Sequence, residues 1–363
     1  MTGSSTPRVS YASSLWKLPQ AAPLHGGAGD FSQPGWGRVQ LQHAQDARSQ
    51  RLAGSTMGTT WSLRLANPDF LPLEPVQAQL QQVLDEVIAQ MSNWEADSFI
   101  SRYNAAPAGS LHALPAQFAR VLEAAMLWAQ RSGGAMDPTM GGLVSLWGFG
   151  PRAEPLRSHS GVLPSQAQVD ALQAQAGYQR LPWATGSTQL LQPGGVQLDF
   201  CGIAKGFAVD AVVELLQAQG WSGGLFEIGG ELRSWGQRPD GQPWRVQLAS
   251  GPEAASQPVV VQVGEGAFAT SGDCWHRFAS GGQQYSHTLD PRTGWPVAHD
   301  LASVTVYHAA CMYADALATV LTVLGPEEGM AFARQHDIAA VFTSHGANAQ
   351  PLRTPAWHSQ FGH

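Results

Sequence analysis

Gly224-Leu225-Phe226-Glu227-Ile228-Gly229-Gly230-Glu231 is a short apolar run closed by a pair of glycines. Aromatic and β-branched residues suit a pleated, half-buried surface, and the glycines supply the turn that ends it. Comparable runs recur at 244–248, 259–263, 303–307 and 338–342, with turn signals such as Asp240-Gly241 and Gly281-Gly282 between them. Helical spacing appears only at 203–217, 313–324 and 326–336 in this half of the chain. Strands in series with occasional helices predict an α+β fold, with mixed or antiparallel strands and flanking helices, rather than regular α/β alternation.

Towards the N-terminus the texture changes. Trp61-Ser62-Leu63-Arg64-Leu65 alternates apolar and polar residues and predicts a strand, with order beginning near Met57. Val76, Leu80, Val83, Leu84, Val87, Ile88 and Met91 recur at helical spacing. A second helix is predicted over 115–131, with Pro115 in its first turn and Gly133-Gly134 beyond its end. Gly141-Gly142 and Pro151 bracket a loop-rich stretch, 152–163 reads as a polar surface excursion, and 165–176 as a short helix. Residues 1–50, rich in Gly, Ser, Pro, Gln and Ala, read as a loosely ordered extension with one short strand at 38–41. The main domain is then 51–345, with two packed halves meeting near residue 190, and 346–363 is a C-terminal tail.

With 44% hydrophobic residues among 363, the chain has ample material for a core and is not a disordered protein. A net charge of -7 argues against a broad basic surface, so nucleic acid is excluded as a partner. No apolar run approaches the length of a membrane span. Cys201, Cys274 and Cys311 are too scattered for a disulfide framework or a metal pair, and read as small buried hydrophobes. Lys17 and Lys205 are the only lysines, which makes a lysine inside a motif conspicuous.

Four segments carry chemistry in their composition. Asp137-Pro138, after Gly133-Gly134-Ala135-Met136, is either a turn or a backbone that approaches a flat ligand with Asp137 as acceptor. Leu198-Asp199-Phe200-Cys201-Gly202-Ile203-Ala204-Lys205-Gly206 takes a strand through a glycine turn into a helix whose first turn holds Lys205. Free N–H groups at a helix start, with a lysine, favour phosphate; a solvated surface lysine is the alternative. Ala269-Thr270-Ser271-Gly272-Asp273 reads as a loop of small hydroxyl residues able to donate to an anion, and precedes Tyr285-Ser286-His287-Thr288-Leu289-Asp290-Pro291. His287 is either a general base or a structural histidine beside the Asp-Pro turn. Asp315 and Thr319 lie four residues apart on an apolar helix and share a face. A carboxylate with a hydroxyl suits Mg²⁺ held jointly by protein and ligand phosphates, while a helix-start charge is the alternative.

In this order the segments resemble the ApbE family, the FAD:protein FMN transferases, from about Thr56 to Phe342. The matching stretches include Met57-Gly58-Thr59-Thr60, Ser98-Phe99-Ile100-Ser101-Arg102-Tyr103-Asn104, Asp137-Pro138-Thr139, Leu146-Trp147-Gly148-Phe149-Gly150 and Leu198 to Asp210. They continue through Gly229-Gly230-Glu231, Ala269 to Asp273, His287 to Gly294 and Ala314 to Thr319. The resemblance implies transfer of FMN from FAD to a threonine hydroxyl of a target flavoprotein, with AMP released and Mg²⁺ required. It implies that FAD, as a substrate, contacts Met57, Ala135, Met136, Asp137, Asp199, Lys205 and Thr288. Trp94 occupies a place where relatives carry an aromatic, which stacks on a ring of the dinucleotide. Asp315, Thr319 and the backbone carbonyl of Gly202 would hold the metal, and the flavin site would lie between the two halves.

Under that resemblance His287 takes the proton of the acceptor threonine. Two other activities use the same site: an FAD pyrophosphatase yielding FMN and AMP, and a non-catalytic FAD-binding protein. Relatives are commonly exported and lipid-anchored. Residues 1–50 show neither a basic stretch followed by an apolar run nor an early cysteine, so the chain as written reads as cytoplasmic, and a different start would make it periplasmic or membrane-associated.

Overall fold

The strand read at 224–228 lies inside an eight-stranded sheet whose spatial order follows the chain. Its members are β1 (Ser49–Thr56), β2 (Thr59–Ala66), β3 (Gly223–Ile228), β4 (Glu231–Gly236), β5 (Gly266–Ser271), β6 (Leu301–His308), β7 (Ala339–Ser344) and β8 (Leu352–Arg353). Every neighbouring pair is antiparallel. The computed structural model describes residues 48–151, 163–248, 259–273, 277–280, 283–346 and 349–362. The strand expected at 38–41, nearly all of the excursion at 152–163, Cys274 and Gly281-Gly282 lie outside the described residues.

Four long helices lie on one side of the sheet, α1 (Glu74–Met91) and α2 (Ala116–Arg131) packed on α3 (Ala204–Ala218) and α4 (Cys311–Gln335), which lie directly against it. The expected apolar stripes face inward, with Val76, Leu80, Leu84, Val87 and Met91 buried on α1. Pro115 caps α2, and Ser165 begins the helix Gln166–Gln173 with a reciprocal capping box to Gln168. The helices read at 313–324 and 326–336 are two arms of α4, broken where Gly325 adopts φ 79° ahead of Pro326. On β5 the period of two sets Ala267 and Ala269 towards the helices and Phe268 away from them. Small residues under α4 let helix and sheet approach closely. The opposite face is covered by the hairpin of Trp244–Gln247 with Val260–Val263 and by the helix Pro355–Phe361. The chain is therefore α+β, and the core on the helix side draws on residues from both sides of position 190.

Three expectations need correction. Order begins before Met57, since Ser49–Thr56 forms β1; its weak alternation hid an edge strand whose Gly54 lies under the ring of Trp61. Ala269, Thr270 and Ser271 do not form a loop but end β5, paired with Val306, Thr305 and Val304. Residues 352–361 are no loose tail: Leu352–Arg353 extends the sheet, and Trp357 is buried against Phe268.

Candidate functional site

The site is built where α3 crosses α4. Gly206 donates its backbone N–H to Oδ2 of Asp315 at 2.9 Å. A Cβ at Gly206 would overlap the Cys311 carbonyl and lie 2.7 Å from Cβ of Asp315, so only glycine permits this approach. One residue earlier, Nζ of Lys205 meets Glu231, the first residue of β4, at 2.5 Å. Glu231 and Asp315 are each only 3% exposed, so the lysine sits among two buried acids. Burial pushes both carboxyls upward, and Asp315 reaches about 7 because the Glu231 charge adds to the effect. For Lys205 burial works downward, but the Glu231 and Asp315 carboxylates outweigh it and lift the ammonium to about 12.

Thr319 follows Asp315 by one turn, as the spacing predicts. Its Oγ1 lies 3.3 Å from Oγ of Ser271 at the end of β5. A Cβ on Gly202 would lie 2.9 Å from the same Oγ1, so the turn before α3 abuts this hydroxyl. Gly202, Asp315 and Thr319 are thus gathered at one crossing. Among the described residues no group of three acidic, histidine or cysteine side chains could hold a metal ion. The donor set is instead one buried carboxylate, whose Oδ2 accepts from the Gly206 N–H, with the Thr319 hydroxyl one turn further along α4 and the Gly202 backbone against that hydroxyl. That chemistry fits Mg²⁺, which binds through one or two carboxylates and completes its shell with water and ligand phosphate.

Asp199 links this crossing to the Asp137 segment. Its N–H donates to the Pro138 carbonyl at 2.8 Å, and its carboxylate accepts from the Cys201 N–H and from Nδ2 of Asn93. Burial raises its pKa above the ordinary carboxylate range. Asn93 precedes Trp94, a large aromatic that is 46% exposed. Asp137 is turned inward: Oδ1 accepts from N and Oγ1 of Thr139, and Oδ2 from the Tyr178 N–H. Its carboxylate thus closes the local turn, and burial raises its pKa. Ala135 and Met136 are buried in the main core. Met57, at φ 48°, forms with Gly58 the two-residue turn joining β1 to β2, next to the Gly229-Gly230 turn through Thr59. The hydroxyls of Thr56 and Thr59 at that turn are buried without a hydrogen-bond partner among the described residues.

His287 and Thr288 belong to a second group. They lie between the strand Gln283–Ser286 and the two-residue strand Leu289–Asp290, which pairs with Trp295–Pro296. The ring of Phe149 meets His287 edge-on at 6.3 Å, and Nε1 of Trp147 donates to the Gly294 carbonyl at 2.8 Å. This ties the Trp147-Gly148-Phe149 loop to the hairpin. Pro291 and Arg292 of that hairpin share a cavity of about 220 Å³ with Asp137, Met140 and Gly177, so the hairpin borders the Asp137 segment.

Sequence reasoning passed over two features and misread a third. Glu231 was part of a motif without a role, yet it is the ion-pair partner of Lys205. Asp210, 1% exposed, pairs with Arg233 and accepts from two N–H groups of α4. Its signal was its place four residues after Gly206, on the same helix face. Cys201 is exposed rather than buried, because it rides the outside of the turn closed by Asp199; Cys311 is buried as expected.

The architecture is that of flavin transferases of known structure. The flavinyl transferase ApbE of Pseudomonas stutzeri, in its apo form, superimposes with a TM-score of 0.79 at 35% identity, covering 87% of this chain and 97% of that one. The flavin transferase ApbE of Vibrio cholerae gives 0.77 at 34% identity, covering 86% and 99%. The chain belongs to the ApbE family, whose model matches residues 57–342. Among curated relatives, the FAD:protein FMN transferase of Vibrio cholerae serotype O1 is 38% identical over 295 residues, 80% of this chain and 86% of that protein. That of Escherichia coli K12 is 34% identical over 314 residues, 85% and 88% respectively.

Proposed function

We infer that the chain transfers FMN from FAD to a threonine hydroxyl of an acceptor flavoprotein and releases AMP, with Mg²⁺ as cofactor. The observation that carries this reading is the gathering of Lys205, Asp315, Thr319 and Gly202 at one helix crossing, in a chain of this family. The acceptor oxygen attacks the FMN-side phosphorus, the bond from that phosphorus to the bridging oxygen breaks, and AMP leaves with the bridging oxygen. Bound Mg²⁺ supplies charge neutralisation at the pyrophosphate. Asp315, Thr319 and the Gly202 carbonyl hold it. Lys205, kept charged by its acidic neighbours, binds phosphate oxygens beside the start of α3. The orphaned Thr56 and Thr59 hydroxyls and the exposed Trp94 offer the dinucleotide hydrogen bonds and a stacking surface. His287 takes the proton of the attacking hydroxyl while its ring rests against Phe149.

Incubating the protein with FAD and Mg²⁺, with and without a threonine-bearing acceptor peptide, tests this directly. FMN covalently attached to the peptide is the expected result. Free FMN and AMP regardless of acceptor would mean a pyrophosphatase, and unaltered FAD would mean a binding protein.

A further inference from the structure

The helix that carries Asp315 and Thr319 has no cap of its own. The residue before its first turn is Ala310, which makes no side-chain capping bond. The free N–H groups of Cys311 and Met312 instead donate to Oδ1 and Oδ2 of Asp210, each at 2.9 Å, from the middle of α3. A buried carboxylate at a helix N-terminus satisfies orphan donors and opposes the positive end of the dipole. Oδ1 also accepts from Arg233 at 2.7 Å. Arg233 stands two residues after Glu231 on β4, hence on the same face of the strand.

Asp210 therefore joins the three elements that carry the charged residues of the site. Its own helix bears Lys205 and Gly206, β4 bears Glu231, and α4 bears Asp315 and Thr319. Gly206 and Asp210 are one turn apart on α3, while Cys311, Asp315 and Thr319 succeed one another by single turns on α4. Gly206 fixes how closely the helices approach, and Asp210 fixes where along its axis α4 begins. We propose that Asp210 is a positioning residue for divalent-cation binding: by capping α4 from a neighbouring helix it sets the distance of Asp315 and Thr319 from Gly202 and Lys205. The proposal rests on the reading of Asp315 and Thr319 as metal ligands.

The test is Mn²⁺ binding, followed by the electron paramagnetic resonance signal of the free ion, to the full-length protein saturated with FAD and without acceptor. Asp210→Asn removes the charge and turns one capping acceptor into a donor. Asp210→Glu keeps the charge but displaces its oxygens by one methylene. Either is expected to weaken Mn²⁺ by about 10- to 100-fold, the usual cost of disturbing a group that orients metal ligands. FAD affinity without metal should stay within about threefold of the parent, a split that general destabilisation does not produce. Mn²⁺ affinity unchanged in a folded variant overturns the proposal while leaving the metal reading intact. A parent that binds no Mn²⁺ overturns the metal reading and this proposal with it. Failure of both variants to fold also overturns it, since Asp210 would then serve the fold and not the site.

Discussion

The helix crossing and the His287 hairpin are made differently. At the crossing, buried charges are matched across elements distant in sequence: Lys205 with Glu231, Arg233 with Asp210, Asp315 with the Gly206 N–H. Around His287 the strands are two to four residues long, and the contacts are largely local or aromatic. Arg292 grips Asp290, two residues away, through both carboxylate oxygens, and one indole N–H pins Gly294. A buried charge loses much when its partner moves, so it demands long, well-anchored elements. Short strands held by local contacts place no such demand on the rest of the chain.

The sharpest way to break this contrast is Asp315→Asn, which keeps an acceptor for Gly206 but removes the charge. FMN transfer should fall to less than about a ten-thousandth of the parent rate. The metal-free melting temperature should move the other way with pH. A carboxyl raised to about 7 costs stability as pH rises from its unfolded range, near 4, to 7. The variant should therefore gain on the parent across that window and keep its advantage at pH 8. A large metal-free loss at pH 8 would make Asp315 structural.

His287→Ala comes next, with transfer slowed by about 10²- to 10⁴-fold and FAD affinity little changed. Acidification should slow the parent because only neutral imidazole accepts a proton. Weakened FAD binding with an intact single-turnover rate would instead put His287 among the residues that merely order the hairpin.

Gly206→Ala probes the crossing without touching a charge. The added methyl meets the Cys311 carbonyl, and the expected loss is about 1–3 kcal/mol in denaturant unfolding. An unchanged midpoint would show that the two helices can part freely.

The smallest effect concerns His308 at the end of β6. Burial lowers its pKa, so the folded chain binds fewer protons than the unfolded one and loses stability as pH falls below about 6.5. His308→Gln should flatten that acid-side decline in melting temperature, and an identical slope would remove this histidine from the account.

Much of this was legible beforehand. The long helices announced themselves because their stripes bury on one face, and Gly325-Pro326 marked the break in α4. The strands β4 and β5 did not, since their residues are partly small or polar and owe their state to the helix laid over them. Asp315 with Thr319, and Asp199 with Lys205, were visible as pairs because helix spacing and chain adjacency are local properties. Asp210 with Arg233 was not, since nothing in a local window states which buried acid will meet a helix start 101 positions on.

Because the sheet follows chain order, each strand emerging from the ribosome finds its neighbour already made. The carboxylate of Asp210 is an exception. It is synthesised 101 residues before the N–H group of Cys311 that it accepts, a delay of roughly 5–20 s at ordinary elongation rates. Until α4 appears, Lys205 and Asp210 have only β4 for company, and Asp315 does not exist. Chains interrupted before about residue 320 can thus lay down five strands of the sheet and part of a sixth, or all six, yet present no assembled charge cluster. The charge cluster is assembled only once α4 has been made.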